Sequence, residues 1–391
     1  MAKRMGTGWA GGLFRVVFLL CIIALAASPR HAAGQLRGVT AATCANPLSR
    51  AELEAVIEKY RGRSFTFASY GGAMQAALRE AYLKPFQERF GISIVEDSGA
   101  NMAKTQAMVE ARNVTWDVVQ LGPSTAMRLG PRGIFEELDC RVHDNRHFLD
   151  TAVEGLAGKL GGGGGLTWAT VLAYREGVKK PTGWGDFWDT KNFPGRRGLY
   201  QSPTGNVEFA LLAAGYPLQE ITYPLNPEQE ELAIQKLEEL RPHDNVVWTT
   251  GSQCPELLIK GELDYCSAWN GRIFDAQKQG APLRICWECG FSLHIDYYQI
   301  PTGAPNKDVA QLFIAWTALP SVNVQLSKYI SYGPINKEAI AALPEVVDPR
   351  TLKELPSSSD NLPYAVLVNF AYWAESFDRL NERFLKIFQA R

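Results

Sequence analysis

The sequence lacks a hydrophobic run long enough to span a bilayer as a helix, which takes about 20 apolar residues. The N-terminal run Val16–Ala27 is much shorter and follows Lys3, Arg4 and Arg15. A basic start, a short apolar segment and small residues after it are typical of a secretory signal peptide. We therefore expect residues 1–34 to be removed on export to the periplasm, leaving a soluble mature chain.

Positive charge is not in excess either. The whole chain has 40 Lys and Arg against 41 Asp and Glu, and residues 1–34 contain four of the basic residues. The mature chain then carries 36 basic and 41 acidic residues, a net charge of −5. Proteins that bind nucleic acid carry a basic face, so we expect no nucleic-acid partner. The balance is compatible with a cationic ligand.

Motifs that carry catalysis are missing as well. The sequence has no phosphate-binding loop, no nucleophile elbow and no triad in a supporting context. We therefore expect a protein that is not an enzyme, with no catalytic residue, no cofactor and no metal.

Cysteines are few, but their number is informative. Six of the seven lie after the predicted signal peptide: Cys44, Cys140, Cys254, Cys266, Cys286 and Cys289. An even number in an exported protein predicts disulfide bonds. Six cysteines allow fifteen connectivities, and the spacing does not select one.

The length and the pattern of apolar residues predict two α/β units, since one core rarely grows beyond about 250–300 residues. Ser64–Ser69 alternates as a strand does, and helical spacing follows it up to Pro85, where we expect a kink. Strands and helices then alternate, which predicts parallel sheets, and a second unit begins near Thr182. The run Gly161–Gly165 is typical of a flexible surface loop.

Several segments, in this order and spacing, resemble the spermidine/putrescine-binding branch of bacterial ABC-transporter solute-binding proteins. The segments are Phe67–Gly72, Trp116–Val119, Trp168–Tyr174, Thr182–Asp189, Phe193–Arg196, Glu208–Leu212, Ala268–Gly271, Ile300–Pro301 and Tyr332–Pro334. The resemblance implies a type II periplasmic-binding-protein fold, with two α/β lobes and a ligand cleft at the hinge. After a lead-in at 35–62, the first lobe would hold 63–172 and 296–332, and the second 173–295 and 333–391.

The same resemblance implies a monomer that delivers a small organic solute, a polyamine or related amine, to the membrane permease of an ABC importer. Aromatic rings and carboxylates suit such a ligand, because a cation over a ring gains about 0.5–2 kcal/mol. By resemblance, Tyr70 and Trp269 are aromatic walls and Asp296 binds an ammonium group. Ser69 and Asn270 lie at the same strand ends, and Trp168, Tyr332 and Trp373 are further candidates.

The sequence also departs from the polyamine binders. Their second lobe contributes two more carboxylates, and those positions are Ser202 and Gly205 here. Glu208, three residues on, is the candidate substitute, and His294 stands where a tryptophan is expected. With fewer carboxylates, a monoamine, a quaternary amine or another small polar solute also fits.

Three other hypotheses start from other residues. Adjacent Tyr297 and Tyr298 suggest a ferric-ion-binding protein of the same superfamily, although neighbouring side chains on a strand point to opposite faces. Cys286 and Cys289 suggest a periplasmic thiol–disulfide oxidoreductase, although such a thiol usually lies at a helix N-terminus. His143 and His147 have the spacing of a metal site on one helix face, but their segment has the composition of a polar loop.

Overall fold

Eleven strands share one mixed sheet in the computed structural model of the chain, which describes residues 47–155, 157–243 and 245–389. The predicted signal peptide and Cys44 lie outside the described residues. The strands are β1 (Ser64–Ser69), β2 (Ser93–Ser98), β3 (Val118–Leu121), β4 (Gly162–Arg175), β5 (Arg197–Tyr200), β6 (Asn245–Trp248), β7 (Tyr265–Trp269), β8 (Leu283–Cys286), β9 (Phe291–Gln299), β10 (Gly333–Pro334) and β11 (Ala365–Leu367).

The sheet consists of two parallel groups on either side of two long antiparallel strands. Its order is β2-β1-β3-β9-β4-β7-β5-β6, with β8 and β10 paired to β4 and β11 paired to β9. Pairing is parallel within β2-β1-β3 and within β7-β5-β6, and antiparallel along β3-β9-β4-β7. This arrangement agrees with the α/β, type II periplasmic-binding-protein fold expected from the sequence. The predicted lobe boundaries at 172 and 296 fall inside β4 and β9, and they stay a prediction.

Helices connect the strands and cover the sheet. They are α1 (Arg50–Ile57), α2 (Gly72–Leu78), α3 (Lys84–Phe90), α4 (Met102–Glu110), α5 (Pro123–Leu129), α6 (Asp150–Glu154), α7 (Trp184–Trp188), α8 (Pro203–Ala213), α9 (Pro227–Glu238), α10 (Gln253–Ile259), α11 (Asn270–Lys278), α12 (Lys307–Ala318), α13 (Pro320–Asn323), α14 (Lys337–Val346), α15 (Pro349–Lys353) and α16 (Phe370–Gln389). Within the described part of the chain, no single helix has the length and hydropathy of a membrane span. One pair bent by 81°, Lys307–Ala318 with Pro320–Lys328, passes that test by length and composition alone.

The predicted kink near Pro85 takes the form of a π-helical turn, Arg79–Leu83, between α2 and α3. Proline lacks the N–H that would continue an α-helical ladder and its ring crowds the preceding turn. The chain therefore changes its hydrogen-bond spacing just before Pro85, while Phe86 stays fully buried.

The described part of the lead-in, residues 47–62, contains a capped helix. Ser49 caps α1 in a capping box with Glu52, which satisfies backbone donors at the helix N-terminus. Leu53, Val56 and Ile57 are buried in the same apolar cluster as α12. Residues 49–57 are therefore part of the core around β1.

Two disulfides join described cysteines, Cys254 to Cys266 and Cys286 to Cys289. The first joins α10 to β7, and the second closes the turn between β8 and β9. Cys140 is disulfide-bonded as well. The expectation that the mature cysteines are oxidised agrees with these five residues.

The prediction of a flexible surface loop at Gly161–Gly165 is wrong. All five residues are buried, and four of them begin β4. A Cβ atom at Gly161 would lie 2.1 Å from the ring of Tyr297, and one at Gly165 would lie 2.4 Å from Ile335. These positions are glycine because neighbouring side chains and backbone pack against this strand and leave no room for a side chain. Amino-acid composition alone does not reveal such close packing.

We expect Gly164→Ala to destabilise the protein by about 1–3 kcal/mol, as overpacking of a core does. Its Cβ would meet Tyr82 at 2.6 Å, and Gly164 has no left-handed φ that would add strain. The control is Gly185→Ala in α7, where nothing lies within 4 Å, and which should be neutral or stabilising. Denaturant unfolding measures both variants. Equal changes in the free energy of unfolding for the two variants would contradict the buried position of Gly164.

Candidate functional site

One cavity lies where the carboxyl ends of the two parallel groups of strands meet. Its volume is about 180 Å³, which is room for about six waters at roughly 30 Å³ each. That volume suits a small organic solute. The cavity is lined by Tyr70, Met74, Gln120, Gly122, Pro123, Ser124, Thr125, Trp168, Thr170, Tyr200, Ser202, Thr204, Trp269, Arg272, His294, Ile295, Asp296, Tyr332, Val368 and Phe370.

Sheet topology explains why these residues come together. Tyr70 follows β1, Gly122 follows β3, and Tyr200 and Trp269 end β5 and β7. Carboxyl ends of parallel strands lie at one edge of a sheet, and ligands of open α/β folds bind outside that edge. The central strands β4 and β9 supply the remaining wall, including Asp296.

Aromatic rings form most of the apolar surface of the cavity. Trp269 is the centre of this group, with ring centroids 5.2 Å from Tyr200, 5.6 Å from Trp168 and 6.3 Å from Tyr70. All three contacts are edge-to-face, a geometry that aromatic pairs favour. The indole nitrogen of Trp269 is buried without a hydrogen-bond partner among the described residues.

Asp296 is the carboxylate of the cavity. Its side chain is 5% exposed, and Gln120 donates to it from Nε2 at 3.3 Å. Burial raises the pKa of Asp296 to about 7, against the smaller lowering effects of Trp168 and Gln120. No described cation forms an ion pair with Asp296.

Arg272 is the cation of the cavity. It lies in the first turn of α11, three residues after Trp269, and is 6% exposed. Its Nη2 donates to the carbonyl of Gly71 at 3.0 Å, whereas its Nε is buried without a partner among the described residues. Burial lowers the pKa of Arg272, but a guanidinium stays charged at neutral pH. No described carboxylate lies within ion-pair distance of it.

His294 contributes a neutral ring. It pairs with Trp168 across β4 and β9, and the two rings stack at 4.1 Å between centroids. Burial lowers the pKa of His294 to about 3, and Ser292 Oγ lies 2.8 Å from its Nε2. The imidazole is therefore uncharged at neutral pH.

Five of the nine candidate residues named from the sequence line the cavity: Tyr70, Trp168, Trp269, Asp296 and Tyr332. Their role in binding stays a prediction.

The other four candidates, Ser69, Asn270, Glu208 and Trp373, are not among the lining residues. Ser69 Oγ donates to Gln75 Oε1, and Asn270 Oδ1 accepts from Ala169 N at 2.9 Å. Glu208 accepts from Trp373 Nε1 at 2.9 Å. The polar groups of these four residues are used within the protein, and their part in ligand binding stays a prediction.

Sequence reasoning missed Gln120, Tyr200 and Arg272. Gln120 lies inside a strand of apolar residues, where a lone polar residue indicates a polar cavity. Tyr200 ends β5 as Trp269 ends β7, so the strand-end argument that found Trp269 applies to it too. Arg272 follows Trp269 in the first turn of the next helix, and that placement was the available signal.

The residues of the other hypotheses lie apart from the cavity. Tyr297 and Tyr298 belong to different core clusters, on opposite faces of β9. His143 is buried against Gln311 at 2.9 Å, while His147 pairs with Glu338 at 3.2 Å.

Neither a metal cluster nor a reactive thiol is evident in these regions. Within the described ranges, no three His, Cys, Asp or Glu side chains are grouped to hold a metal. Cys286 and Cys289 are buried and bonded to each other around a single 3-10 turn, Trp287–Cys289.

The family and the curated proteins that the chain matches are all solute-binding proteins. The chain matches the bacterial extracellular solute-binding protein family over residues 81–353. It is 35% identical to the gamma-aminobutyric acid-binding protein of Pseudomonas aeruginosa, over 83% of this chain and 90% of that protein. It is 29% identical to the spermidine/putrescine-binding periplasmic protein of Escherichia coli, over 44% of this chain and 49% of that protein.

Solved structures are similar over most of their length. The binding protein MotA of A. tumefaciens B6, in complex with glucopine, has a TM-score of 0.76 at 28% identity, covering 83% of this chain and 99% of that one. A GABA receptor has a TM-score of 0.71 at 30% identity, covering 83% and 97%.

The raised pKa of Asp296 predicts how the stability of the empty protein depends on pH. The unfolded pKa is about 3.9, so between about pH 4 and 7 the native state keeps a proton that the unfolded state releases. The contribution of Asp296 to stability then falls as pH rises through this range, by at most about 4 kcal/mol, and levels off above pH 7. The Asp296→Asn variant lacks this titrating group. Its free energy of unfolding, relative to that of the wild type, should therefore increase as pH rises.

Calorimetric melting of both ligand-free proteins from pH 4.5 to 8 tests this expectation. Among the lining side chains, Tyr70, Tyr200 and Tyr332 have raised pKa values, His294 is neutral, and Arg272 is charged throughout. A difference between the two proteins that does not change with pH would contradict the burial of an unpaired Asp296.

Proposed function

We propose that the chain, which belongs to the bacterial extracellular solute-binding protein family, captures a small zwitterion with an ammonium group at one end and a carboxylate at the other. γ-Aminobutyric acid represents this class. Members of the family are the solute-binding components of ABC transporters, and a membrane permease is the partner that we propose here.

The acidic end of the cavity suits the ammonium group. Asp296 supplies a buried charge, and Gln120 Oε1 is a buried acceptor without a partner among the described residues. An ammonium group has three donors and no acceptor, so it satisfies both atoms at once. The rings of Trp168 and Trp269 offer faces for the cation and its methylenes.

The basic end of the cavity suits the carboxylate. Arg272 presents a buried Nε–H without a partner, and Trp269 Nε1 is a second buried donor. The hydrogen bond from Arg272 Nη2 to the carbonyl of Gly71 fixes the orientation of the planar guanidinium group. Planar guanidinium groups recognise carboxylates through two parallel hydrogen bonds. This unpaired arginine, in the same cavity as an unpaired aspartate, is the observation that carries the proposal.

A polyamine, the ligand class favoured by the sequence resemblance, fits these charges less well. Its second ammonium group needs a second carboxylate, and the candidate, Glu208, has both oxygens engaged by the protein. Arg272 would repel that ammonium group. The names of two relatives, a gamma-aminobutyric acid-binding protein and a GABA receptor, support the zwitterion instead.

We also propose that binding closes two lobes, 63–172 with 296–332 and 173–295 with 333–391. Several contacts join residues of different proposed lobes at the cavity, and Trp168 contacts both Trp269 and His294 in this way. Arg272 Nη2 bonds the carbonyl of Gly71, and the ring of Tyr70 lies 6.3 Å from that of Trp269. Closure by a hinge would bring such residues of the two lobes together around a ligand.

The two charged residues make separable predictions for binding. Arg272→Gln should weaken GABA by about 30-fold or more, since truncating one partner of a buried charge pair costs about 2–5 kcal/mol. The same variant should leave n-butylamine, which has no carboxylate, within about threefold of its wild-type affinity. Asp296→Asn should weaken both ligands.

Isothermal titration calorimetry with GABA, n-butylamine and putrescine measures these affinities. The control is Arg89→Gln, which removes a surface cation paired with Glu54 and should change none of them. Tighter binding of putrescine than of GABA by the wild type would reject the zwitterion. Equal losses of GABA and n-butylamine in Arg272→Gln would reject the role of Arg272.

Closure predicts a smaller radius of gyration in the bound state. Small-angle scattering of the mature protein, with and without saturating GABA, checks this. The Asp296→Asn variant at the same GABA concentration is the control and should keep the profile of the empty protein. An identical profile for the saturated wild type would count against hinge closure.

A further inference from the structure

We propose that Glu208 is a positioning residue, which holds one wall of the cavity in place without touching the ligand. The wall consists of residues 202–205 and the first turn of α16. The expected effect of Glu208 on ligand affinity rests on the proposed function. The expected effect on the order of residues 202–205 does not, because it is measured on the protein without ligand.

Glu208 joins three separate segments of the chain through one carboxylate. Its Oε2 accepts from the backbone N–H of Gly205 at 2.8 Å, and its Oε1 accepts from Trp373 Nε1 at 2.9 Å. The hydroxyl of Tyr223 also donates to Oε1. Gly205 precedes the regular part of α8, Tyr223 lies in the connection to α9, and Trp373 is in α16.

Two of these segments carry lining residues of the cavity. Ser202 and Thr204 lie immediately before Gly205, and Phe370 lies one turn before Trp373. A shift of Gly205 or of Trp373 therefore moves side chains that face the ligand. Glu208 is hydrogen-bonded to both segments, at Gly205 and at Trp373.

The segment before α8 is not held by helical hydrogen bonds alone. Thr204 and Gly205 have non-helical backbone angles, with φ +87° at Gly205, although Pro203 and Asn206 flank them within α8. The first N–H groups of a helix have no partner within it, and a side-chain acceptor that caps them stabilises the start. Glu208 provides this acceptor from inside the helix, three residues after Gly205.

A carboxylate is needed for this arrangement. Glu208 is fully buried, and no described cation forms an ion pair with it, so packing alone would favour an uncharged residue. Glutamine, the closest uncharged substitute, has one acceptor oxygen and an amide that only donates. It therefore leaves at least one of the three donors without its bond.

Hydrogen exchange of the empty protein tests the positioning role. Glu208→Gln should speed the exchange of backbone amides at 204–206 by tenfold or more. The matched control is Glu230→Gln in α9. Glu230 is another buried carboxylate bonded to α16, through Tyr372 at 2.8 Å and Arg379, and its side-chain hydrogen bonds do not involve residues 202–205. Exchange at 204–206 should be unchanged in the control.

Tyr223→Phe is a milder second variant, for use if Glu208→Gln does not fold. It removes one donor, keeps the ring, and should raise exchange at 204–206 by a smaller factor. Faster exchange in the Glu208 or Tyr223 variant, with none in the Glu230 variant, supports the proposal. Unchanged exchange in the Glu208 and Tyr223 variants, or an equal rise in the Glu230 variant, would overturn it.

Calorimetric titration with GABA, at a temperature where all variants are folded, gives the functional measurement. Glu208→Gln should weaken GABA by about fivefold or more, and Glu230→Gln should leave it unchanged. Equal affinities in the two variants would overturn the positioning role. If the wild type does not bind GABA, the proposed function fails, and hydrogen exchange still decides the role of Glu208.

Discussion

The antiparallel pairing of β4 with β9 is the interaction on which the rest of the structure depends. These strands lie in the middle of the sheet and receive a parallel group on each side. Their register sets Trp168 opposite His294 and Leu166 opposite Asp296. Because the two outer groups both attach here, their carboxyl ends face one cavity, and the polar side chains of β9 reach it. A slip of one residue would turn Asp296 away from the cavity, since the side chains of a strand alternate between faces.

The cavity keeps two opposite charges apart in an apolar surrounding. Asp296 and Arg272 are each desolvated, and each lacks an ionic partner among the described residues. Such groups are unfavourable in the empty protein, and a ligand with complementary ends removes both penalties together. Glu208 differs from Asp296, since its buried carboxylate accepts hydrogen bonds from three donors of the protein. Burial alone therefore does not mark a carboxylate as a candidate for ligand binding. The better indicator is the hydrogen-bonding capacity that the protein leaves unused.

Much of the architecture was predictable, because it depends on local periodicity. Alternation located β1 at Ser64–Ser69, with the bounds that the structure has, and the argument from strand ends brought Tyr70 and Trp269 to one place. Long-range contacts were not predictable in this way. Glu208 bonds Trp373 across 165 residues, and no local pattern indicates that pairing. The glycine run has the composition of a linker, and only the neighbouring Tyr297, Tyr82 and Ile335 explain why it is a strand.

The buried glycines of β4 also determine how this stretch of the gene is able to change. Every glycine codon begins with two guanines, so any replacement at either base introduces a side chain or a stop. At positions 161, 163, 164 and 165 even a methyl group would approach its neighbours to 2.7 Å or less. Only third-base changes, which are silent, escape this restriction. We therefore expect synonymous variation to dominate in this segment, although the segment does not line the cavity.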